Sequence, residues 1–315
     1  MMSKVDCTQS IDGILLVNKP QGLSSNAVLQ QVKRLFKAKK AGHTGSLDPL
    51  ATGMLPICFG EATKFCQYLL DADKCYEATG LLGIKTNTGD ALGEIITESP
   101  PFDVNETELL DVIQQFRGQI KQIPPMFSAL KHKGTPLYKY AREGIEIERE
   151  AREITIHQLE LTGFDKKTFD IKVSCSKGTY IRNLVEDIGD QLKIGAHVTR
   201  LHRCHTAGFA IEPMYSLDSL QNKTAAQLLD CLLPMERAVN YLPVVTLAAD
   251  EVFALRQGKS VSMTVQDDFK GCVRLHDEAA RFIGLGELQS SGVLMVKRLL
   301  TEQAVVHACL ENSTF

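Results

Sequence analysis

The stretch AGHTGSLDPLATG, residues 41–53, constrains this chain more than any other segment. Gly42, Gly45, Gly53 and Pro49 crowd into it, and helical patterns lie on either side. Glycine permits backbone turns that other residues resist. Proline pushes the residue before it, here Asp48, toward an extended conformation. The reading is a shaped loop between two helices that presents an aspartate, a common place for a working side chain. Spacing alone leaves Asp48 equally open to being an Asx-turn residue that caps the next segment. A phosphate-cradling loop is disfavoured, because GHTGS lacks the Lys-Ser/Thr ending of a P-loop.

The chain has 315 residues, enough for one large domain and a smaller one. Its longest apolar run is residues 14–17, too short to span a membrane. The start, MMSKVDCTQS, has no apolar core of a signal peptide. Nine cysteines without a Cys-x-x-Cys pair suggest free thiols in a reducing, cytoplasmic setting. A net charge of −3 argues globally against a nucleic-acid binder. Locally the chain is basic in three places: Lys33, Arg34, Lys37, Lys39 and Lys40; Lys131, His132, Lys133, Lys139 and Arg142; and Arg200, His202, Arg203 and His205. One such run alone is usually a solvated face. Three runs flanking the same motifs predict one phosphate-contacting surface around the Asp48 cleft.

Along the chain, residues 13–17 read as a strand. Ser24 or Ser25 caps a helix with the apolar stripe Val28, Val32, Leu35 and Phe36. A helix follows the loop, with Phe65, Cys66 and Leu69 on one face. Residues 75–84 alternate as a strand, and a helix runs through Leu109, Leu110, Ile113 and Phe116. Residues 121–150 lack periodicity and read as a mobile arm. Strands are expected at 154–163 and 169–175. The helix of SKGTYIRNLVEDIGDQL follows, with Gly178 and Thr179 as its turn and cap. A further helix is expected over 216–239, and from 243 onward short alternating segments read as a small β-rich domain.

The loop GHTGSLDPLATGMLPICFGEATK resembles the catalytic motif of the TruB family of pseudouridine synthases. The resemblance runs through most of the catalytic region. NKPQGLSS is similar to the family's Lys-Pro motif (Lys19, Pro20), and KCYEATGLLGIKTNTGDALGE to the strand with its tyrosine (Tyr76). QIPPMFSALKHKGTPLYKYAREG resembles the arm that grips RNA. GTYIRNLVEDIG carries the Tyr-Ile-Arg motif, and GAHVTRLHRCHTAGF the family's leucine (Leu201). Where the family commonly has Leu-Arg-Arg, this chain has Leu201-His202-Arg203, a change at a phosphate contact rather than in the chemistry.

The resemblance implies an α+β, pseudouridine-synthase fold: a mixed, mainly antiparallel central sheet flanked by helices over residues 1–240, with the RNA-gripping arm at 121–150. A small PUA-like β-barrel follows over 241–315. It implies Asp48 as nucleophile, Arg182 as its cationic partner and Tyr76 as a catalytic residue that also stacks on the base. His43 would fill the place of the extruded nucleotide, Tyr180 and Leu201 would line the base pocket, and Lys19, Pro20 and Lys131 would bind substrate. The implied substrate is one uridine, position 55, in the T-arm stem-loop of tRNA. The enzyme would act as a monomer, with no membrane, no metal and no cofactor, because a rearrangement needs no donor. By residue type alone, Tyr76, Tyr180 and Leu201 read as core, and Arg182 as a solvent-facing arginine in the first helical turn. There its charge opposes the helix dipole by about 0.3–1 kcal/mol unless a carboxylate answers it. His202-x-x-His205 with Cys204 lacks the second ligand pair of a zinc site. Three rival functions remain: a chaperone that grips tRNA without chemistry, a synthase for another RNA that a complex guides, and an N-glycosidase. The last usually needs a second carboxylate, and none accompanies Asp48 in its loop.

Overall fold

The computed structural model describes residues 11–206, 208–263 and 270–305. The N-terminal decapeptide discussed above lies outside them. β1 (Gly13–Lys19) is followed by α1 (Ser25–Leu35). The Ser24 hydroxyl caps α1 by accepting from the Ala27 N–H, and Val28 and Val32 form its buried stripe. β2 (Ala41–His43) and β3 (Thr52–Phe59) come next, so the glycine-rich loop joins two strands rather than two helices. A 3-10 turn leads into α2 (Cys66–Leu70), which buries Leu69.

β4 (Lys74–Leu82), the hairpin β5 (Ile84–Thr86) and β6 (Ile95–Glu98), α3 (Glu106–Gln114) and β7 (Gly118–Gln122) follow. Asn105 and Glu108 form a capping box on α3. The arm is less irregular than its composition suggests. It holds a short hairpin, β8 (Lys131–His132) and β9 (Thr135–Pro136), and α4 (Leu137–Arg142). β10 (Arg152–Phe164), β11 (Thr168–Cys175), α5 (Ile181–Gln191) and β12 (Ala196–Thr206) complete the strands and helices around the central sheet. Thr179 does not cap α5: its hydroxyl donates to the Ser176 carbonyl, and Tyr180 occupies the cap position without a side-chain bond.

The central sheet runs β1-β3-β12-β4-β11-β10-β7, with β2 paired to β3. Only the β3–β12 pairing in it is parallel, so the sheet is mixed and mainly antiparallel. α5 packs on β12 through the fully buried Leu184, Val185 and Ile188.

The helix expected over 216–239 is broken into α6 (Leu217–Gln221), α7 (Ala225–Leu229) and a 3-10 turn at Met235–Ala238. Thr224 and Gln227 form a new capping box that starts α7, which ends at Asp230, and Pro234 stands at the start of the 3-10 turn. β13 (Val244–Leu247), α8 (Ala249–Arg256), β14 (Val261–Ser262), β15 (Gly271–Asp277), β16 (Phe282–Leu288) and β17 (Val293–Leu299) form the C-terminal region. Its curled five-stranded sheet runs β13-β15-β16-β17-β14, half of a PUA-like barrel.

The C-terminal sheet shares one apolar core with the region of the central sheet. Ile14, Met54, Phe65 and Leu69 cluster with Leu247, Leu275, Leu285 and Leu300, and the Phe65 and Phe282 rings lie 5.4 Å apart. Lys64 donates to the Leu299 carbonyl, and Thr301 N–H to Glu61. Pattern reading predicts that a chain ending at Asn240 folds alone; the shared core gives the opposite expectation. Phe65 and Leu69 are fully buried, and exposing such side chains costs about 1.5–3 kcal/mol each. A chain ending at Asn240 is expected to melt roughly 10 °C or more below the full chain. Thermal denaturation followed by circular dichroism checks this, and an equal Tm would contradict it.

Candidate active site

Three backbone anchors shape the loop around Asp48. On one side Ser25, buried at the start of α1, accepts from Leu47 N–H (2.7 Å) and donates to the Leu47 carbonyl (3.0 Å). Gly22 N–H, from the turn after Lys19-Pro20, donates to the Pro49 carbonyl at 2.7 Å. From below, Arg203 donates through Nε to the Met54 carbonyl (2.7 Å) and through Nη2 to the Gly45 carbonyl (3.2 Å). Gly53 pairs with Arg203 across the parallel strands at φ +100°, where a Cβ would collide with the Arg203 backbone. The glycine therefore lets β3 and β12 close beneath the loop.

Arg203 was expected among surface phosphate contacts and is instead 1 % exposed. The third basic run is thus divided. Arg200 is exposed and pairs with Glu77, His202 Nδ1 shares a 2.8 Å hydrogen bond with Thr52, and Arg203 faces inward. Because a strand alternates its faces, this run cannot act as one basic patch.

The Asp48 carboxylate receives Arg182 Nε at 2.8 Å. Arg182 is buried, while 39 % of the Asp48 side chain remains open to solvent. The other guanidinium nitrogens donate to Thr88 O (2.6 Å) and Phe127 O (2.8 Å). One side chain thereby ties the Asp48 loop, the turn after β5 and the arm. Its place in the first turn of α5 is answered by a carboxylate. Burial pushes the Asp48 carboxyl above the ordinary carboxylate range; Arg182 pulls it back, and Asp90 adds to the rise.

Sequence reading did not single out Asp90, although it lies in the quoted GDALGE. It is a second carboxylate near Asp48, but Thr88 Oγ1 (2.8 Å) and Leu92 N–H (3.0 Å) bond its Oδ1 within its own turn. Asp90 is also 5 % exposed, so it is not presented as the open general base of an N-glycosidase pair.

Tyr76 sits on β4 opposite Val173 and Arg203, almost fully buried. Burial pushes its phenol up, and the neighbouring Arg203 cation opposes that rise. Leu201 packs in the same apolar cluster as Tyr76, Leu47 and Leu50. Tyr180 is half-buried at the head of α5, and burial likewise raises its phenol.

Family models match nearly the whole chain. Residues 33–181 match "TruB family pseudouridylate synthase (N terminal domain)". Residues 182–240 match "tRNA pseudouridylate synthase B C-terminal domain", and 243–300 match "Pseudouridine synthase II TruB, C-terminal". The tRNA pseudouridine synthase B of Legionella pneumophila is 58% identical over 95% of this chain and 99% of its own length. That of Methylobacillus flagellatus is 51% identical over 93% and 97%. The chain belongs to the TruB family. A solved Cbf5-Nop10-Gar1 complex superposes with a TM-score of 0.72 at 25% identity, covering 93% of this chain and 86% of that one. An H/ACA RNP bound to a substrate RNA, at 23% identity and a TM-score of 0.69 over 93% and 86%, shares the fold.

The TruB motifs converge unevenly in space. Asp48, Arg182, Tyr76, Tyr180 and Leu201 meet around the loop. Lys19 is fully buried, its ammonium bonded to the Pro20 and Leu23 carbonyls and held down to about 8 by burial. Its charge helps to lower the Asp48 carboxyl, while Pro20 is exposed beside it. His43 enters the loop with a buried Nδ1 that has no hydrogen-bond partner among the described residues. Lys131 stands apart on the arm, lining a cleft of about 200 Å³ with Leu137, Arg149 and Arg152.

Proposed function

We propose that this TruB-family chain converts uridine 55 in the T-loop of tRNA to pseudouridine. The observation that carries the reading is the Asp48–Arg182 pair, a carboxylate kept beside a buried cation, with Tyr76 and Leu201 in the adjoining apolar cluster and Tyr180 at the head of α5. Desolvation alone would favour the protonated, inert acid. The 2.8 Å contact with Arg182 favours the carboxylate, the form that can attack.

In this mechanism Asp48 initiates cleavage of the bond between uracil N1 and the ribose anomeric carbon. The detached uracil keeps the bonding electron pair and turns, and its C5 then bonds to the anomeric carbon. The proton on C5 leaves, N1 gains one, and Asp48 ends as the carboxylate it began as. Atoms and electrons balance within the nucleotide. In this reading Tyr76 stacks on the base and assists removal of the C5 proton. The adjoining apolar cluster keeps water from the intermediate.

A uridine inside a folded loop reaches Asp48 only when extruded from its stack. His43, with its unpartnered nitrogen at the loop's start, fills the vacated place. The arm carrying Lys131 and the PUA-like region over 241–315 hold the T-arm by its phosphates. Lys33, Arg34, Lys37, Lys39 and Lys40 on and after α1 add to that hold, which explains RNA binding by a chain of net charge −3.

The test is base-resolution mapping of pseudouridine in bulk, unmodified tRNA after incubation with the protein. Conversion confined to the T-loop uridine is expected. Release of free uracil would instead indicate an N-glycosidase, and binding without conversion a chaperone.

A further inference from the structure

The segment QIPPMFSAL opens the arm, and its first residue is held in a way that an RNA grip does not require. Gln122 ends β7 and is 3 % exposed. Its side-chain Oε1 accepts from Tyr180 N–H at 2.8 Å, and its Nε2 donates to the Tyr180 carbonyl at 3.0 Å. One side-chain amide thus pairs with both backbone groups of one residue, like a single rung of a β-ladder. Two residues later stands Arg182.

Further bonds run the same way. Asn183 donates to the Ile123 carbonyl at 3.1 Å, and Arg182 Nη2 to the Phe127 carbonyl at 2.8 Å. The first turn of α5 is therefore fastened to residues 122–127, the root of the arm. α5 has no side-chain N-cap of its own. The Gln122 amide is what fixes the backbone from which Arg182 departs.

We infer that Gln122 is a positioning residue that sets the Asp48–Arg182 pair and couples it to the arm. A buried amide is tolerated only when its donor and acceptor are both satisfied, and here one backbone residue satisfies both. An apolar side chain would pack in the same space but leave the Tyr180 N–H without a partner and its carbonyl with the Leu184 N–H alone. The head of α5 would then drift, and a small misplacement of a reacting group is enough to cost a large factor in rate. The inference rests on the reading of Asp48 and Arg182 as the catalytic pair.

Gln122→Met keeps the reach of the side chain and removes both bonds. Gln122→Glu keeps the acceptor for Tyr180 N–H and, when ionised, sets a charge against the Tyr180 carbonyl. The measurements are single-turnover pseudouridine formation at saturating tRNA and tRNA affinity by filter binding, on the full chain. Gln122→Met is expected to turn over about tenfold or more slower with affinity within about threefold. The Gln122→Glu rate, divided by the wild-type rate at the same pH, is expected to rise about threefold or more between about pH 7.5 and about pH 5.5. The protonated carboxyl regains a donor for Tyr180; burial and Asp48 favour that form, while Arg152, opposite Gln122 on β10, and Arg182 oppose it. A Gln122→Met rate within threefold of wild type overturns the inference, as does weaker binding with an unchanged saturated rate. A flat Gln122→Glu ratio also overturns it, and that ratio decides alone if Gln122→Met fails to fold. Asp48→Asn is run in parallel: turnover by that variant would defeat the reading of the pair itself, whereas an inert Asp48→Asn beside a fast Gln122→Met defeats only the role of Gln122.

Discussion

Asp48→Asn is expected to lower single-turnover pseudouridine formation to below about a hundredth of wild type, a loss of more than about 2.7 kcal/mol of transition-state stabilisation, with tRNA affinity within a few-fold. The amide is nearly the same shape as the carboxylate but is not a nucleophile. The loop should survive the change. Ser25, Gly22 and Arg203 hold it through the backbone of Leu47, Pro49, Gly45 and Met54, and none of these bonds involves the Asp48 side chain. The asparagine carbonyl oxygen also remains an acceptor for Arg182 Nε. Rate and affinity are measured on the same tRNA transcript. Residual turnover above a hundredth would remove Asp48 from the role of nucleophile.

The loop was the most legible part of the chain, and its surroundings the least. Glycine and proline announce a turn locally, so residues 41–53 stand out from any background. What joins the turn does not stand out. Pro56 inside TGMLPICF hides a strand, because a proline usually argues against a position within a sheet. Ser25 was read as one of two candidate caps; Ser24 is the cap, and Ser25 holds Leu47 instead.

Arg203 illustrates the same limit more sharply. In sequence it belongs to a basic run with Arg200, His202 and His205, and basic runs read as surface. Its partners are two carbonyls on a distant loop, and carbonyls carry no side-chain signature. The signal that could have found it is Gly53 together with the strand alternation of β12, which turns Arg203 to the opposite face from its neighbours. Gln122 and Asp90 were invisible for the same reason, since both bond to backbone or to their own turn. The pairing of Asp48 with Arg182 could be named because it joins two side chains, each inside a motif that resembles its family. The change of pattern from residue 243 is visible in the sequence, but not the apolar core that joins the two sides of it. Phe65 and Leu69 look like the inner face of any helix until Phe282 and its neighbours are seen against them.

Arg182→Met is expected to slow turnover at saturating tRNA about a hundredfold or more, with Arg182→Lys recovering only part of the loss. Arg182 has three differently directed partners: Asp48 at Nε, Thr88 O at Nη1 and Phe127 O at Nη2. A lysine ammonium is one point charge and cannot reproduce that fork. Affinity for tRNA should change little, because Arg182 is 4 % exposed. The pH profile separates loss of charge from loss of shape. Burial and Asp90 raise the Asp48 carboxyl, and Arg182 is the largest influence that lowers it. The reaction needs the ionised form, so activity is lost as pH falls through the Asp48 pKa. Removing the cation lets that pKa climb further, so the acidic limb of the Arg182→Met profile should lie at higher pH than in wild type. In Arg182→Lys the charge remains, and the limb should stay closer to its original place while the plateau is reduced. Single-turnover rates from about pH 5 to about pH 9 resolve both effects. An Arg182→Met enzyme with a wild-type plateau and only weaker tRNA binding would mean that the 2.8 Å contact supports the fold or the RNA rather than the nucleophile.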